Sequence, residues 1–454
     1  MVRTALALTL AFALLTASAP QRALAQADAF NSAHATLRGW EESARLAIFD
    51  RSGSYFGRTG GQGILQRFNQ KMDSEYPLDL ISSSFSLGEV YEWYRRDDGV
   101  RFWAGSINHL QLIQHGDAKA AVPLGRSWSI GAHFIHDETL EAQRNLVQIE
   151  VRKGLLDGRA RAFLLGTLKA EKPESDIELG FSWRPGRGTV TVAVAALDLF
   201  SDLIWQSLEV APSIADTALD YTVHPYTARF AVDLPIGRRL RVEAYGLAMT
   251  PTTVAVESQT EPDVGFVQDE RYAYAGGLLE WTPTRRTAAG AFATWVRARL
   301  GRSALLPEGS LEDDFDLTEK SWQLGAYGIH RFLRRFTAEL WLARVWRTED
   351  RLRPNTPEPD IHHEDRTWAG RAHVFYQAAG GFRGDLAFFF TDRAIVGPDR
   401  LPGAGAYTHT RLRFDLGWAF GGRALLMLGT NLDLDGDGRA PNFDGAHGRF
   451  LLYW

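Results

Sequence analysis

Segments in which apolar and polar residues alternate recur from about residue 82 to the end of the chain. The segment 411–420, RLRFDLGWAF, has apolar residues at every even position and two arginines and an aspartate at odd positions. Similar alternation is found in 176–184, 188–196, 229–234, 291–300 and 383–393. Because successive side chains of a strand point to opposite faces, this period predicts β-strands with one apolar face. In 291–300 the pattern assigns Phe292, Val296 and Leu300 to that face.

The connections between these segments alternate between short and long. Tight links lie near 185–187, 234–238, 282–286, 331–335, 379–381 and 421–422. Long polar stretches lie near 199–219, 251–269, 301–319, 348–365, 394–407 and 435–447. Short turns at one end and long loops at the other are typical of a transmembrane antiparallel up-and-down β-barrel, with the turns on the periplasmic side. The sequence therefore predicts an all-β barrel of about 18 strands, within a range of about 16–20.

The apolar face of each strand is predicted to contact lipid. Lipid cannot satisfy backbone N–H and C=O groups, so strands cross a membrane only as a closed sheet. Aromatic residues near strand ends are then expected at the two membrane interfaces. The candidates are Trp183, Trp281, Trp418, Trp454 and Tyr226.

The N-terminal region divides into two parts. Residues 1–25 contain Arg3, a short apolar run and an A-x-A site ending at Ala25, which predicts a secretory signal peptide and a mature chain beginning at Gln26. A retained membrane anchor is the alternative. Residues 26–81 fit the strand pattern less well, and three alternatives stay open for them: a first strand pair, a plug in the lumen or a periplasmic lead. Residues 82–454 are predicted to form the barrel in the bacterial outer membrane.

Composition excludes several classes of protein. The chain has no cysteine, which rules out disulfides, cysteine-ligated metals, a cysteine nucleophile and a lipid anchor on cysteine. Its formal charge is −5, with 50 basic and 55 acidic residues, so no nucleic-acid partner is expected. The sequence contains no G-x-S-x-G, H-E-x-x-H or P-loop motif. An enzyme is therefore not the expected function.

The polar face of the strands is predicted to line a water-filled lumen. A surplus of arginine there gives two interpretations: a strip that selects anionic or polyhydroxylated solutes, or an arginine–carboxylate ladder that stiffens the wall. The candidate pore-lining residues are Arg241, Glu243, Arg297, Arg299, Arg371, Arg383, Asp385, Arg411, Arg413 and Asp415.

Acidic residues are concentrated in the predicted loops. Residues 251–270 and 303–319 are rich in Asp and Glu, which indicates either a rim that binds divalent cations bridging lipopolysaccharide or plain solvated loops. The run DLDGDG matches a calcium-loop pattern whose oxygen ligands would be Asp433, Asp435, Asp437 and Asp444. A structural calcium ion or a simple Asx-turn loop both fit this run. No other cofactor is predicted.

Two segments resemble known outer-membrane proteins. The hairpin 86–109 contains Glu89, Tyr91, Glu92 and Gly105, and it resembles an early hairpin of alginate-export and general substrate porins. It has Ser106 where those families often have arginine. The C-terminal run RFLLYW resembles the signal that the barrel insertion machinery recognises in outer-membrane barrels.

The resemblance implies transport across the outer membrane of a Gram-negative bacterium. We expect a monomeric or trimeric channel for small hydrophilic solutes, including anions or saccharides. The alternatives are a plugged barrel that transports hydrophobic molecules, or an outer-membrane enzyme or surface scaffold. The expected partners are outer-membrane lipid and lipopolysaccharide, the insertion machinery through the C-terminal strand, and the solutes themselves.

Overall fold

The chain forms a closed antiparallel β-barrel in the computed structural model. The structure describes residues 93, 96 and 98–454, except 108–110, 139–142, 170–174, 197–216, 224–225, 259–264, 306–310, 334, 353–360, 397–406, 421–422 and 435–441. The predicted signal peptide, the segment 26–81 and the residues Glu89, Tyr91 and Glu92 lie outside this part of the chain. No helix in the described residues is long and apolar enough to cross a membrane.

Alternating residues give the chain one strand after another. The first nine are β1 Gly99–Ile107, β2 Gln111–Pro123, β3 Trp128–Glu138, β4 Gln143–Leu155, β5 Ala160–Lys169, β6 Ser175–Trp183, β7 Thr189–Ala196, β8 Thr217–Val223 and β9 Tyr226–Ile236. The next ten are β10 Leu240–Ser258, β11 Gly265–Thr284, β12 Thr287–Leu305, β13 Leu311–Phe332, β14 Phe336–Leu352, β15 Ile361–Gln377, β16 Phe382–Val396, β17 Tyr407–Phe420, β18 Ala424–Asp433 and β19 Asn442–Leu452.

These segments occupy 18 positions around the barrel. β8 and β9 both pair with β10, β9 along its first half and β8 along its second half, so the two segments share one position. β7 pairs with β9, and every other strand pairs with its neighbours in sequence. The pairing of β1 with β19 closes the sheet. The predicted up-and-down barrel of about 18 strands is confirmed.

The two faces of the wall differ in chemistry as the alternation predicts. On β17, Phe414, Leu416 and Trp418 are exposed on the outer face, whereas Arg411 and Asp415 on the inner face are almost completely buried. Exposed leucine, phenylalanine and tryptophan side chains continue on the outer face of neighbouring strands. Apolar groups exposed in this way are compatible with contact to lipid and not with a water-facing surface.

The phase of β12 is the reverse of the prediction. Phe292 and Val296 are buried on the inner face, whereas Arg297 and Arg299 are exposed on the outer face. Phe292 and Val296 point inward, and the outer face of this strand has the small residues Ala289, Ala291 and Ala293 before Trp295. Arg297 and Arg299, predicted to line the pore, therefore do not face the lumen.

Several predicted loops are strand for most of their length. β10 to β14 have 17 to 22 residues each, whereas β5 to β8 have only 7 to 10. The polar stretches 251–269 and 301–319 therefore continue the strand ladder beyond the apolar band, where both faces of a strand meet water and the alternation disappears. The tight links near 185–187, 234–238, 282–286 and 331–335 lie at the opposite end of the barrel.

Tryptophan side chains mark both limits of the apolar band. Trp183, Trp281 and Trp418 are exposed near the short turns, as predicted, and Trp128 joins them. At the other limit Trp295, Trp322 and Trp346 lie side by side on β12, β13 and β14, followed by Trp368 on β15. We call these last four residues the outer girdle. Aromatic girdles at both interfaces are characteristic of transmembrane barrels.

Candidate pore-lining site

Ionisable side chains cover the inner face of β14 to β19 at mid-height. We call this set the charged cluster, and it contains five arginines, three carboxylates and two histidines. Its members are Glu339, Arg371, His373, Arg383, Asp385, Arg411, Arg413, Asp415, His447 and Arg449. All of them are buried on the inner face, and the arginines outnumber the carboxylates, so the cluster as a whole is positively charged at neutral pH.

Asp385 contacts three of the bases of the charged cluster. It accepts hydrogen bonds from Arg383, at 2.7 Å from Nε and 3.0 Å from Nη2, and another from Arg449. His373 Nε2 lies 3.5 Å from its Oδ2 atom. Because Arg449 comes from β19 and Asp385 from β16, this carboxylate links strands that are not neighbours.

Asp415 forms the second centre of the cluster. Its Oδ1 atom lies 2.7 Å from His447 Nε2, and its Oδ2 atom lies 3.0 Å from Arg413 Nε and 3.5 Å from Arg449 Nη2. Trp103 of β1 stacks on His447, with ring centroids 5.9 Å apart. The cluster thus continues across the seam where β19 meets β1.

Gly429 leaves the space in which the Asp415 carboxylate contacts the His447 imidazole. These three residues occupy one row across β17, β18 and β19, with the glycine in the middle. A Cβ atom on Gly429 would overlap the Asp415 carboxylate and lie 2.8 Å from His447 Nε2. The missing side chain therefore lets two ionisable groups meet over the intervening strand.

We expect Gly429→Ala to destabilise the barrel by about 1–3 kcal/mol, the usual cost of overpacking a filled site. The added methyl forces the Asp415 carboxylate away from His447. Urea-dependent unfolding in lipid vesicles measures the change. Gly380→Ala is the control, because a Cβ atom there meets no atom within 4 Å. An equal loss in both variants would contradict the steric explanation.

A second polar group lies nearer the short turns. Arg241 contacts Asp233 at 2.7 Å and Glu243 at 2.8 Å, and Tyr327 donates a hydrogen bond to Glu280. Arg241 and Glu243, two of the predicted pore-lining residues, therefore lie on the inner face of β10, whereas the charged cluster lies on β14 to β19.

Apolar side chains cover the inner face between these two groups. Leu278, Phe292 and Ala343 form a buried set, against which Tyr327 and Trp341 pack. Phe292 and Trp341 are stacked, with ring centroids 5.8 Å apart and planes inclined by 18°. Trp341 is the register partner of Arg371, so this apolar patch is contiguous with the charged cluster.

The structure brings together six of the predicted pore-lining residues. Arg371, Arg383, Asp385, Arg411, Arg413 and Asp415 all belong to the charged cluster. His447 and Arg449 also belong to the charged cluster and are not among the predicted pore-lining residues. The outer face of β19 beside His447 has Ala446 and Gly448, so the alternation that would have revealed the inner face is absent there.

The predicted calcium ligands are only partly described. Asp435 and Asp437 lie outside the described residues, as does the side chain of Asp444, and Asp433 is at the end of β18. The described residues contain no group of three or more metal-ligating side chains. Calcium binding by this loop stays a prediction.

Comparison with known proteins gives only distant similarities. No family model matches the chain, and no curated protein matches it either. The solved structure of OpdK from Pseudomonas aeruginosa with vanillate is 12% identical, covers 78% of this chain and 96% of its own, and gives a TM-score of 0.39. The outer-membrane channel DcaP of Acinetobacter baumannii is 10% identical, with 78% and 95% covered and a TM-score of 0.36. A bacterial polysaccharide outer membrane secretin is 10% identical, with 79% and 99% covered and a TM-score of 0.36.

The chain's own architecture defines its class. A closed sheet, an exposed apolar band and aromatic girdles at both limits of that band are together the features of a bacterial outer-membrane β-barrel. This assignment rests on strand pairing and side-chain exposure within the chain.

Proposed function

We propose that this barrel is an outer-membrane channel for small hydrophilic solutes and that it prefers anions. The observation that carries the proposal is the charged cluster, in which five arginines face three carboxylates on the inner wall. Charged side chains on a pore wall select permeating ions through their field, and arginine rings favour anions. Saccharides remain within the proposed solute range, because arginine and carboxylate groups also bind hydroxyls.

Arg411 and Arg413 are the residues on which we expect selectivity to depend most. They lie at successive inner positions of β17, with Arg413 also 5.4 Å from the ring centroid of Phe389. A unit charge about 4 Å from an ion in water contributes about 1 kcal/mol, which corresponds to about a fivefold change in partition. Neutralising both should therefore remove most of an anion preference.

The test is the reversal potential of the refolded protein in a planar bilayer with a salt gradient. Wild type should conduct with anion preference, and Arg411→Gln/Arg413→Gln should lower the chloride-to-potassium permeability ratio by about fivefold or more. The matched control is Arg344→Gln/Arg366→Gln, which removes two arginines from the outer face. Cation preference in the wild type would contradict the proposal, as would an equal shift in both double variants.

The apolar patch favours one alternative, the passage of hydrophobic molecules. Leu278, Phe292 and Trp341 offer such a molecule an aromatic wall next to Arg371. A correctly folded barrel without any steady conductance would support this alternative over the open channel. The same bilayer experiment therefore separates the two functions.

A further inference from the structure

An apolar groove runs along the outer face of the barrel between β5 and β12. Its volume is about 760 Å³, within the range of about 300–1,000 Å³ typical of sites for small molecules. Phe181 and Phe230 line one side and Trp295 the other, and the small residues Gly246 and Ala275 lie between them. Because the groove lies within the apolar band, hydrocarbon chains and not water fill it.

Three basic side chains lie at the end of this groove that is nearer the long loops. Arg297 is the register partner of Ala273, which lines the groove, and Lys320 is the next residue in the same row. Arg271 is two residues before Ala273 on β11, on the same face and nearer the long loops. All three are exposed, and within the described residues none of them forms an ion pair.

Nearby carboxylates compensate these charges only in part. Asp316 is engaged by Arg299, with 2.6 Å between Oδ2 and Nη2. Of the other outer-face carboxylates nearby, Asp350 is engaged by His362, Glu364 by Arg366, and Asp269 accepts a hydrogen bond from Thr253. Like charges directly opposite each other on neighbouring strands destabilise a sheet, as for Arg297 and Lys320. An anion placed between these two side chains would relieve that repulsion.

The depth of this basic group matches the level of lipid headgroups. Trp295 and Trp322 belong to the outer girdle. Arg297 is two residues after Trp295 and Lys320 is two residues before Trp322, both on the side of the long loops. Two residues of a strand span about 7 Å, less along the barrel axis because strands tilt. The cations therefore lie just outside the hydrocarbon boundary, where lipid phosphates are found.

We propose that the groove and these basic residues form a binding site for a phosphorylated glycolipid of the outer leaflet. Its acyl chains lie in the groove, and its phosphates contact Arg297 and Lys320, with Arg271 at the side. A groove lined by residues of seven strands suits a lipid with several chains better than one with two. The contact is a direct charge-assisted hydrogen bond and needs no bridging cation. The site is on the outer face and is independent of the proposed channel.

The test measures retention of lipid A by the purified, folded barrel using native mass spectrometry. Bisphosphorylated lipid A, dephosphorylated lipid A and phosphatidylglycerol are added separately, each with and without EDTA. We expect bisphosphorylated lipid A to bind most tightly. Arg297→Gln/Lys320→Gln should weaken its binding by about tenfold, since two exposed charge-assisted contacts with the phosphates are lost.

Two further variants test the position of the charges and the role of the groove. Arg285→Gln/Arg286→Gln removes two exposed cations from a short turn at the opposite membrane boundary and should leave binding unchanged. Ala275→Leu partly fills the groove and should weaken binding with the basic residues intact. Equal binding of phosphorylated and dephosphorylated lipid A, or equal losses in both double variants, would overturn the proposal. Equal binding of phosphatidylglycerol would overturn the assignment to a glycolipid, and loss of binding in EDTA would indicate cation bridging instead.

Discussion

Asp385→Ala is expected to lower the free energy of unfolding by about 3–5 kcal/mol, the usual cost of removing one partner from a buried charge pair. Asp385 is only 1% exposed and accepts hydrogen bonds from Arg383 and Arg449. Without this carboxylate, two buried guanidinium groups lose their shared counter-charge. His373 loses a neighbour 3.5 Å away as well. Equilibrium unfolding in urea, followed by the mobility difference between folded and unfolded barrel, measures the loss.

The control for this variant lies on the same strand. Asp392 is on the outer face of β16, is exposed, and accepts a hydrogen bond from Thr408 at 3.1 Å. Asp392→Ala should change stability by no more than about 0.5 kcal/mol, as for most surface substitutions. If both alanine variants unfold at the same urea concentration, the charged cluster does not stabilise the barrel in the way described.

Leu416→Arg is expected to destabilise the barrel by about 2–4 kcal/mol, the cost of an arginine facing lipid near the bilayer midplane. Leu416 is 42% exposed on the outer face of β17, in the middle of the apolar run from Leu412 to Phe420. The arginine has no water or counter-charge at that depth. Unfolding in vesicles of defined lipid composition measures this effect.

A second arginine variant tests whether depth is the cause. Thr408 lies on the same face of β17, beyond the apolar run and nearer the loops. Thr408→Arg should cost about 0–1 kcal/mol, because the side chain reaches the interface. Similar losses for Thr408→Arg and Leu416→Arg would mean that the outer face of β17 is not embedded in lipid as proposed.

Alternation in the sequence predicted the barrel and the phase of β17 correctly, and it failed on β12 for a physical reason. It can identify the lipid-facing side only where the lumen-facing side is polar. On β12 the inner face packs Phe292 against Leu278, and the outer face has three alanines before Trp295. The pattern therefore assigned Phe292 and Val296 to the lipid-facing side, and it placed Arg297 and Arg299 in the lumen. The contacts that decide the phase come from β11, β13 and β14, which a single strand's pattern does not contain.

The charged cluster could be predicted only in part for a related reason. Arg383, Asp385, Arg411 and Asp415 lie on strands whose opposite face is strongly apolar, so their inward direction follows from local sequence. His447 lies opposite Ala446 and Gly448, which give no such signal. The register that joins Asp415, Gly429 and His447 depends on the pairing of three strands and has no local signature.

The pairing of β1 with β19 bears on the order in which the strands of the barrel assemble. Nearly all pairings join strands that are adjacent in sequence, and these pairings form with little loss of chain entropy. Gly105 and His447 of the closing pair are separated by most of the described chain, so their pairing costs more chain entropy. Closure is therefore expected to be the slow event in folding. Because Trp103 meets His447 across this seam, the stacked pair at the edge of the charged cluster is complete only in a closed barrel. Stacking of Trp103 on His447 is therefore a marker of barrel closure.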